Sequence, residues 1–154
     1  MNRRDLLLAM PWIAATPVLA HHGWSSFDES KPVYLEGKVK SLKWQNPHAE
    51  IVVTVALDAK LPADLAKRSV PPQKASVDGA RVLAAAALPT RRGDWTLELS
   101  PMTRIEAWKV PEPKAGDTVA AVGYTFKDDK GPQFARVEFL FIGSAVFALR
   151  SMPA

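Results

Sequence analysis

The sequence predicts a mainly β protein, an OB-fold-like five-stranded barrel with one helix between strands 3 and 4, preceded by a signal peptide. Two observations lead to this fold class. Segments 33–44 and 49–57 alternate apolar and polar residues with the period of a strand, and a short helical pattern at 101–109 interrupts three further strand-like segments. Three strands, a helix and two strands is the element order of the OB barrel.

The first 20 residues have the pattern of an export signal. Arg3 and Arg4 precede an apolar run of about 14 residues, and Val18 and Ala20 provide small residues around a cleavage site. The run is shorter than the roughly 20 residues of a membrane-spanning helix, although an uncleaved anchor is the alternative. The arginine pair also resembles a twin-arginine signal. We therefore predict cleavage after Ala20 and a periplasmic chain, residues 21–154, with no stable membrane span.

Strand 33–44 changes its apolar phase along its length, which indicates a bulge or strong coiling, and Gly37 favours such bending. In strand 49–57 every second residue from Ala49 is apolar, so these residues are expected to face the core. The remaining predicted strands are 95–99, 118–126 and 133–141. The side chains expected inside the barrel are those of Val39, Ile51, Val53, Leu97 and Val137.

Two helices are predicted outside the barrel strands. The first, 78–88, is capped by Asp78 and lies within a Pro/Ala-rich insertion, residues 60–92, that has seven basic and two acidic residues. This charge imbalance is typical of a solvated surface segment, with a partner-binding role as the alternative. The second helix, 101–109, has Ser100 as its expected N-cap, followed by a proline in the first turn.

Composition excludes several classes of function. The chain of 154 residues has no cysteine, which excludes disulfides, thiolate metal sites and a cysteine nucleophile. The sequence has 20 Lys and Arg residues and 16 Asp and Glu residues, and this positive excess is too small to indicate nucleic-acid binding. None of the predicted strands has a face rich in both basic and aromatic residues. No glycine-rich phosphate loop and no nucleophile elbow occur. Whether the protein is an enzyme is uncertain, and a non-enzymatic function is favoured.

The region after the expected cleavage site resembles a known family. Residues 21–28 read His-His-Gly-Trp-Ser-Ser-Phe-Asp, and residues 44–48 read Trp-Gln-Asn-Pro-His. This pattern is similar to small exported bacterial proteins of unknown function whose mature chains begin with paired histidines and contain a Trp-x-Asn-Pro-His segment. The resemblance implies a periplasmic β-barrel domain and supplies no established activity. The insertion 60–92 is longer than the family pattern suggests.

All three histidines lie in these two motifs, and they are the candidate metal ligands. Cleavage after Ala20 would give His21 a free α-amine, which chelates a metal together with its own Nδ1, and His48 would add a third nitrogen. Such a histidine brace favours Cu(II). A competing arrangement uses the amine, the His22 amide and the His22 ring. Asp28 and Glu50 are possible oxygen ligands.

Three residues of the Trp-x-Asn-Pro-His segment also have a purely structural interpretation. His48 follows a turn signal and could simply stabilise that turn, while Trp44 is expected to pack at a barrel end and Asn46 to form the turn. The leading hypothesis is a non-enzymatic, periplasmic copper-binding protein. The second is a metal-free interaction module that serves an exported partner, such as a redox protein. The third is a monooxygenase, which would need an aromatic axial residue, with Tyr34 or Phe27 as candidates.

Overall fold

Alternating apolar residues form a closed barrel in the computed structural model, which describes residues 23–154. The export signal and the candidate ligands His21 and His22 therefore lie outside the described residues. Six strands occur in the described range: β1 Val33–Lys43, β2 Glu50–Val55, β3 Gly93–Glu98, β4 Thr118–Thr125, β5 Phe134–Ile142 and β6 Ala145–Ala148. The helices are α1 Gly79–Ala85 and α2 Met102–Ala107.

The strands are hydrogen-bonded in the order β3-β2-β1-β4-β5, and a parallel pairing of β3 with β5 closes the barrel. The other barrel pairs are antiparallel. The extra strand β6 extends the sheet beyond β5. Helix α2 lies between β3 and β4 in the chain, so the predicted five-stranded, OB-like architecture is confirmed.

The bulge predicted in β1 is present, and Gly37 has a separate role. Its register against β2 shifts between Val39 and Ser41, which accounts for the change of apolar phase seen in the sequence. Gly37 contributes differently from expectation, because a Cβ at this position would overlap the carbonyl oxygen of Thr54 on β2. The glycine thus permits close approach of two strands, while the bulge itself lies further along β1.

The barrel interior contains the residues expected there. Val39 is 3% exposed, and Ile51, Val53, Leu97 and Val137 are fully buried in the same apolar cluster. Trp95 is also fully buried, and its indole nitrogen donates a hydrogen bond to the Arg91 carbonyl oxygen over 3.1 Å. The prediction of the core from period-two alternation is confirmed.

The start of α2 is stabilised by a residue other than the predicted cap. The Ser100 hydroxyl donates to the Leu149 carbonyl oxygen over 2.8 Å, and Pro101 occupies the N-cap position. The side-chain oxygen of Asn46 accepts the Met102 amide hydrogen over 3.0 Å. The expectation for Ser100 is wrong because a residue distant in sequence satisfies the helix terminus.

The insertion covers the outer face of the barrel. Asp78 accepts the Arg81 amide hydrogen as predicted, which caps α1. Leu65 and Leu83 are only 1% exposed and join an apolar cluster that includes Phe139 of β5. The prediction that the insertion is a solvated surface segment is therefore wrong for these two leucines. Their burial was not evident because prolines and charged residues interrupt any helical or strand period.

We expect Leu83→Ala to lower the free energy of unfolding by about 2–4 kcal/mol, because it leaves a cavity between α1 and the barrel wall. Urea denaturation of both proteins measures this difference. The control is Leu57→Ala, since Leu57 is 90% exposed and its truncation should change stability by less than about 0.5 kcal/mol. Equal stability of the two variants would mean that the insertion does not pack on the barrel.

Candidate functional site

His48 lies just before β2, directly after the cis peptide bond between Asn46 and Pro47. Its neighbour Ala49 is fully buried in the core, so the His48 side chain lies on the outer face. Nδ1 of His48 is 3.7 Å from Oε2 of Glu98 on β3, and the His48 side chain is 22% exposed. The imidazole therefore faces a carboxylate and remains in part accessible to solvent.

Glu98 also forms a buried ion pair across the closure of the barrel. It lies directly opposite Arg136 of β5, and Arg136 Nε donates to Glu98 Oε1 over 2.7 Å. The two side chains are 8% and 9% exposed. A carboxylate bound by a guanidinium and shielded from water is held in one orientation, and it presents its second oxygen to His48.

The two candidate oxygen ligands have different surroundings. Glu50 lies opposite Glu98 in the β2–β3 register and shares the outward strand phase of His48, so it belongs to the same surface. Asp28 accepts hydrogen bonds from the amide and hydroxyl of Ser30, and it pairs with Lys31 over 3.9 Å. The hydrogen bond from the Ser30 hydroxyl holds the pKa of Asp28 below its usual range. Asp28 thus stabilises its own turn.

The chain before β1, residues 23–32, forms an arm on the outer wall of the barrel. Its first turn is a short 3₁₀ segment, Trp24–Ser26. The Trp24 ring centroid lies 3.9 Å from Cζ of Arg150 and 5.2 Å from Cζ of Arg136. Arg136, the partner of Glu98, is therefore also in contact range of the arm. One guanidinium links the arm to the carboxylate that faces His48.

The candidate axial aromatic residues are both buried. Phe27 is 2% exposed and stacks on Phe126 with a centroid separation of 4.9 Å. Tyr34 is 1% exposed and lies in the cluster beneath the insertion, where its hydroxyl donates to Glu36. Burial, followed by the Glu36 hydrogen bond, raises the pKa of Tyr34. Packing against neighbouring apolar residues therefore accounts for the positions of both aromatic side chains.

The other two motif residues have structural contacts. Trp44 is half-buried and packs against the barrel core, and Asn46 caps α2. The Asn-Pro-His turn thus connects α2 to the surface that contains His48. These contacts agree with the structural interpretations of Trp44 and Asn46.

Sequence reasoning missed the Glu98–Arg136 pair and also a second ion pair, in which Glu138 is buried and Arg150 is partly exposed. Glu138 is fully buried at a register shift of β5, and Arg150 Nε donates to its Oε2 over 2.8 Å. Gln73 of the insertion donates to the other carboxylate oxygen over 3.3 Å. Arg150 also binds Glu29 of the arm. The available signal was the presence of two charged residues, Arg136 and Glu138, in a strand whose other residues are apolar, because a charge at a buried position needs a partner.

Within residues 23–154, no group of three or more His, Asp or Glu side chains is arranged to hold a metal ion. Of the three histidines proposed as ligands, the structure describes His48, and it brings His48 together with Glu98. No helix of the described part of the chain combines the length and the apolarity that crossing a bilayer requires.

One comparison with known proteins agrees with the resemblance to a family of unknown function. Residues 11–63 match the model of a family of unknown function (DUF6152). The matched region includes the arm, β1, the Asn-Pro-His turn and β2. The match supports similarity to an uncharacterised family. No curated protein matched the chain in a search, and no solved structure did.

We expect Glu98→Gln to destabilise the fold by about 3–5 kcal/mol, because Arg136 would remain buried without its counter-charge. The double variant Glu98→Leu/Arg136→Leu should be less destabilised than Glu98→Gln, since it removes both charges together. Chemical denaturation of the three proteins is the measurement. If Glu98→Gln were as stable as the wild type, the Glu98–Arg136 pair would be hydrated rather than buried.

Proposed function

We propose that this chain is a periplasmic, non-enzymatic protein that binds Cu(II) through the mature N-terminal His21 and through His48. The observation that carries the proposal is the position of His48, on an accessible surface and facing a carboxylate that a buried guanidinium holds in place. A histidine whose ring is oriented by a carboxylate is a common arrangement around protein-bound metals.

The reach of the arm supports the same pairing of ligands. Trp24 lies over Arg136, which binds Glu98, which in turn faces His48. His21 is three residues before Trp24, and three residues of extended chain span at most about 10 Å. His21 would therefore start within about 10 Å of the Trp24 end of this series of contacts.

The donor set suits copper. The α-amine and Nδ1 of His21 would form a chelate ring, and His48 would contribute Nε2 because its Nδ1 is directed at Glu98. Three nitrogens in a T-shaped arrangement favour Cu(II) among the first-row divalent ions. Glu50 is the oxygen donor on the same surface, and its negative charge would balance part of the positive charge of the metal.

The charges around Glu98 support a role in orienting His48 rather than in binding the metal directly. Its charge is already paired with Arg136, and a second cation, Arg104 of α2, lies near Arg136: burial, followed by the Arg136 charge, lowers the Arg104 pKa. The local charge around Glu98 is thus compensated before any cation arrives. Imidazole and amine nitrogens, which bind Cu(II) without a formal negative charge, suit such surroundings.

Two features support export and a non-enzymatic role. The leader pattern supports cleavage after Ala20, which would create the amine ligand. Phe27 and Tyr34, the two residues considered for the axial aromatic ring of the monooxygenase hypothesis, are both buried. Copper binding or transfer is therefore favoured over oxidative catalysis.

A metal-free interaction module is the second candidate, and one observation favours it. A groove of about 440 Å³ lies between the arm, the end of the insertion and the β4–β5 hairpin. Its wall is largely apolar, with Pro32, Leu88 and Phe126 among the lining residues. A segment of an exported partner protein could bind there, independently of any metal.

The copper site is tested with three forms of the mature chain: the wild type, a variant with one extra Gly ahead of His21, and His48→Ala. Intact mass first establishes that the exported protein begins at His21. We expect the extension and His48→Ala each to weaken Cu(II) binding at least about tenfold, as measured by competition titration, because each removes one nitrogen of the site. Affinity should also fall as the pH drops below about 6.5, where imidazole becomes protonated.

The extended chain keeps every side chain and moves only the amine. Equal copper affinity of the extended and mature chains would contradict the brace. Loss of binding on extension, with no effect of His48→Ala, would instead identify the local chelate of amine, His22 amide and His22 ring. A protein isolated with its leader retained would contradict the proposal at its first step.

A further inference from the structure

We propose that one groove on the barrel wall binds an extended segment of a partner protein, in which an aliphatic side chain lies next to a lysine or an arginine. The acidic groove is defined here as the groove of about 440 Å³ between the arm, the end of the insertion and the β4–β5 hairpin. The inference rests on the second candidate function and requires no metal, so it and the copper site can fail separately.

Hydrogen bonds fix the three walls of the acidic groove before any ligand binds. The amide of Asp28 in the arm donates to the Thr125 carbonyl oxygen of β4 over 2.9 Å. The end of the insertion is attached to β1, because an amide of β1 donates to the Ala87 carbonyl oxygen over 2.8 Å. The Thr90 hydroxyl donates to Asp129, which attaches the insertion to the hairpin. Walls that are already ordered lose little conformational entropy on binding.

Apolar side chains from all three walls suit an aliphatic side chain of a ligand. Val33 at the start of β1, Leu88 at the end of the insertion and Phe126 after β4 all line the groove, and each is partly exposed. The ring of Phe126 is held in place, since it stacks on the rings of Phe27 and Phe134. Covering these apolar surfaces with an aliphatic side chain removes them from water and stabilises the complex.

The charges of the groove favour a cation beside that aliphatic side chain. Four charged residues line it, and three of them are acidic: Asp28, Asp128 and Asp129, against Lys31. Asp28 lies 3.9 Å from Lys31, whose side chain is 83% exposed, so this contact is weak and a cation of the partner can replace it. The hydrogen bond from the Ser30 hydroxyl holds the pKa of Asp28 below its usual range, so this carboxylate stays ionised at neutral pH.

Asp128 is the carboxylate that is most available to a partner. Its side chain forms no ion pair and no hydrogen bond with any residue of the described range 23–154, whereas Asp129 is bound by side chains at the end of the insertion. Lys127 and Lys130 belong to the same hairpin but do not line the groove. A lysine or arginine of the partner would therefore give Asp128 an opposite charge.

The open rim of the groove favours a chain segment over an enclosed small molecule. Ala85, Ala87 and Thr90 on one side and Asp128 on another are exposed to solvent. Sites for small molecules usually bury most of the ligand surface, which such a rim does not do. Neighbouring side chains of an extended chain point to opposite sides, so one can contact the apolar surface while the next reaches the aspartates.

Two pairs of variants separate the groove from the rest of the surface. Ala87→Lys places a long cationic side chain in the groove, and its control Ala84→Lys places the same side chain at an exposed position of α1 that does not line it. Asp128→Asn removes the charge and retains a residue type that tolerates the left-handed φ of 65° at this position. Its control, Glu112→Gln, removes an exposed charge between α2 and β4. Thermal unfolding shows whether each variant is folded.

A display library of random short peptides, selected on the immobilised mature chain with EDTA present, provides the probe. We expect it to enrich peptides in which Leu, Ile, Val or Met stands beside Lys or Arg. Fluorescence anisotropy of the most enriched peptide should show binding at least about tenfold weaker to Ala87→Lys and about 2- to 5-fold weaker to Asp128→Asn. Both controls should bind as the wild type does. Salt should weaken the wild-type complex more than that of Asp128→Asn, because it screens the lost charge pair.

Several results would overturn the inference. They are a selection without any enriched sequence, enriched peptides that lack a cation, and a peptide that binds folded Ala87→Lys as tightly as the wild type. The alternative occupant is a second copy of this chain. Dimers detected by analytical ultracentrifugation, lost in Ala87→Lys and retained in Ala84→Lys, would identify that occupant and contradict the proposal. Ala87→Lys should bind copper with wild-type affinity, so a failed copper site leaves this test intact.

Discussion

The ion pair between Glu98 and Arg136 is the interaction on which the rest of the site depends. The two residues lie opposite each other where β3 pairs with β5, which is the pairing that closes the barrel. Both are almost completely buried, so neither charge can lose its partner without a large desolvation cost. The same pair meets His48 through the carboxylate and Trp24 through the guanidinium. Barrel closure and the candidate site therefore share one contact.

The shared contact explains how distant segments of the chain meet at one surface. The arm packs its aromatic residues on the wall formed by β4 and β5, and the Asn-Pro-His turn is attached to α2 by the side chain of Asn46. Arg150 joins the arm to Glu138, a buried residue in the middle of β5. Each link joins segments far apart in sequence, so the surface is assembled only in the folded barrel.

Much of the fold could be predicted because period-two alternation is a local signal. The core positions of β2 and β3, the bulge in β1 and the placement of α2 all follow from neighbouring residues. The cap of α2 could not be predicted, since Asn46 is 56 positions away from Met102. Burial of Leu65 and Leu83 was also hidden, because the irregular insertion has no period.

The candidate site could be predicted in part. The histidine motifs drew attention to His48, but its partner Glu98 belongs to a strand that pairs with β2 only in the folded barrel. Arg136, Arg150 and Glu138 look like ordinary charged residues in the sequence, and only their contacts in the folded barrel connect them with the arm. The site thus depends on long-range contacts that local patterns do not contain.

The central claim is that two imidazoles from separated motifs bind one copper ion, and counting those imidazoles tests it most directly. Electron spin echo envelope modulation of the Cu(II)-loaded mature chain detects the remote nitrogen of each coordinated imidazole. A site formed by His21 and His48 predicts a modulation pattern of two equatorial imidazoles, reduced to one in His48→Ala. A pattern of a single imidazole in the wild type, unchanged in His48→Ala, would contradict it.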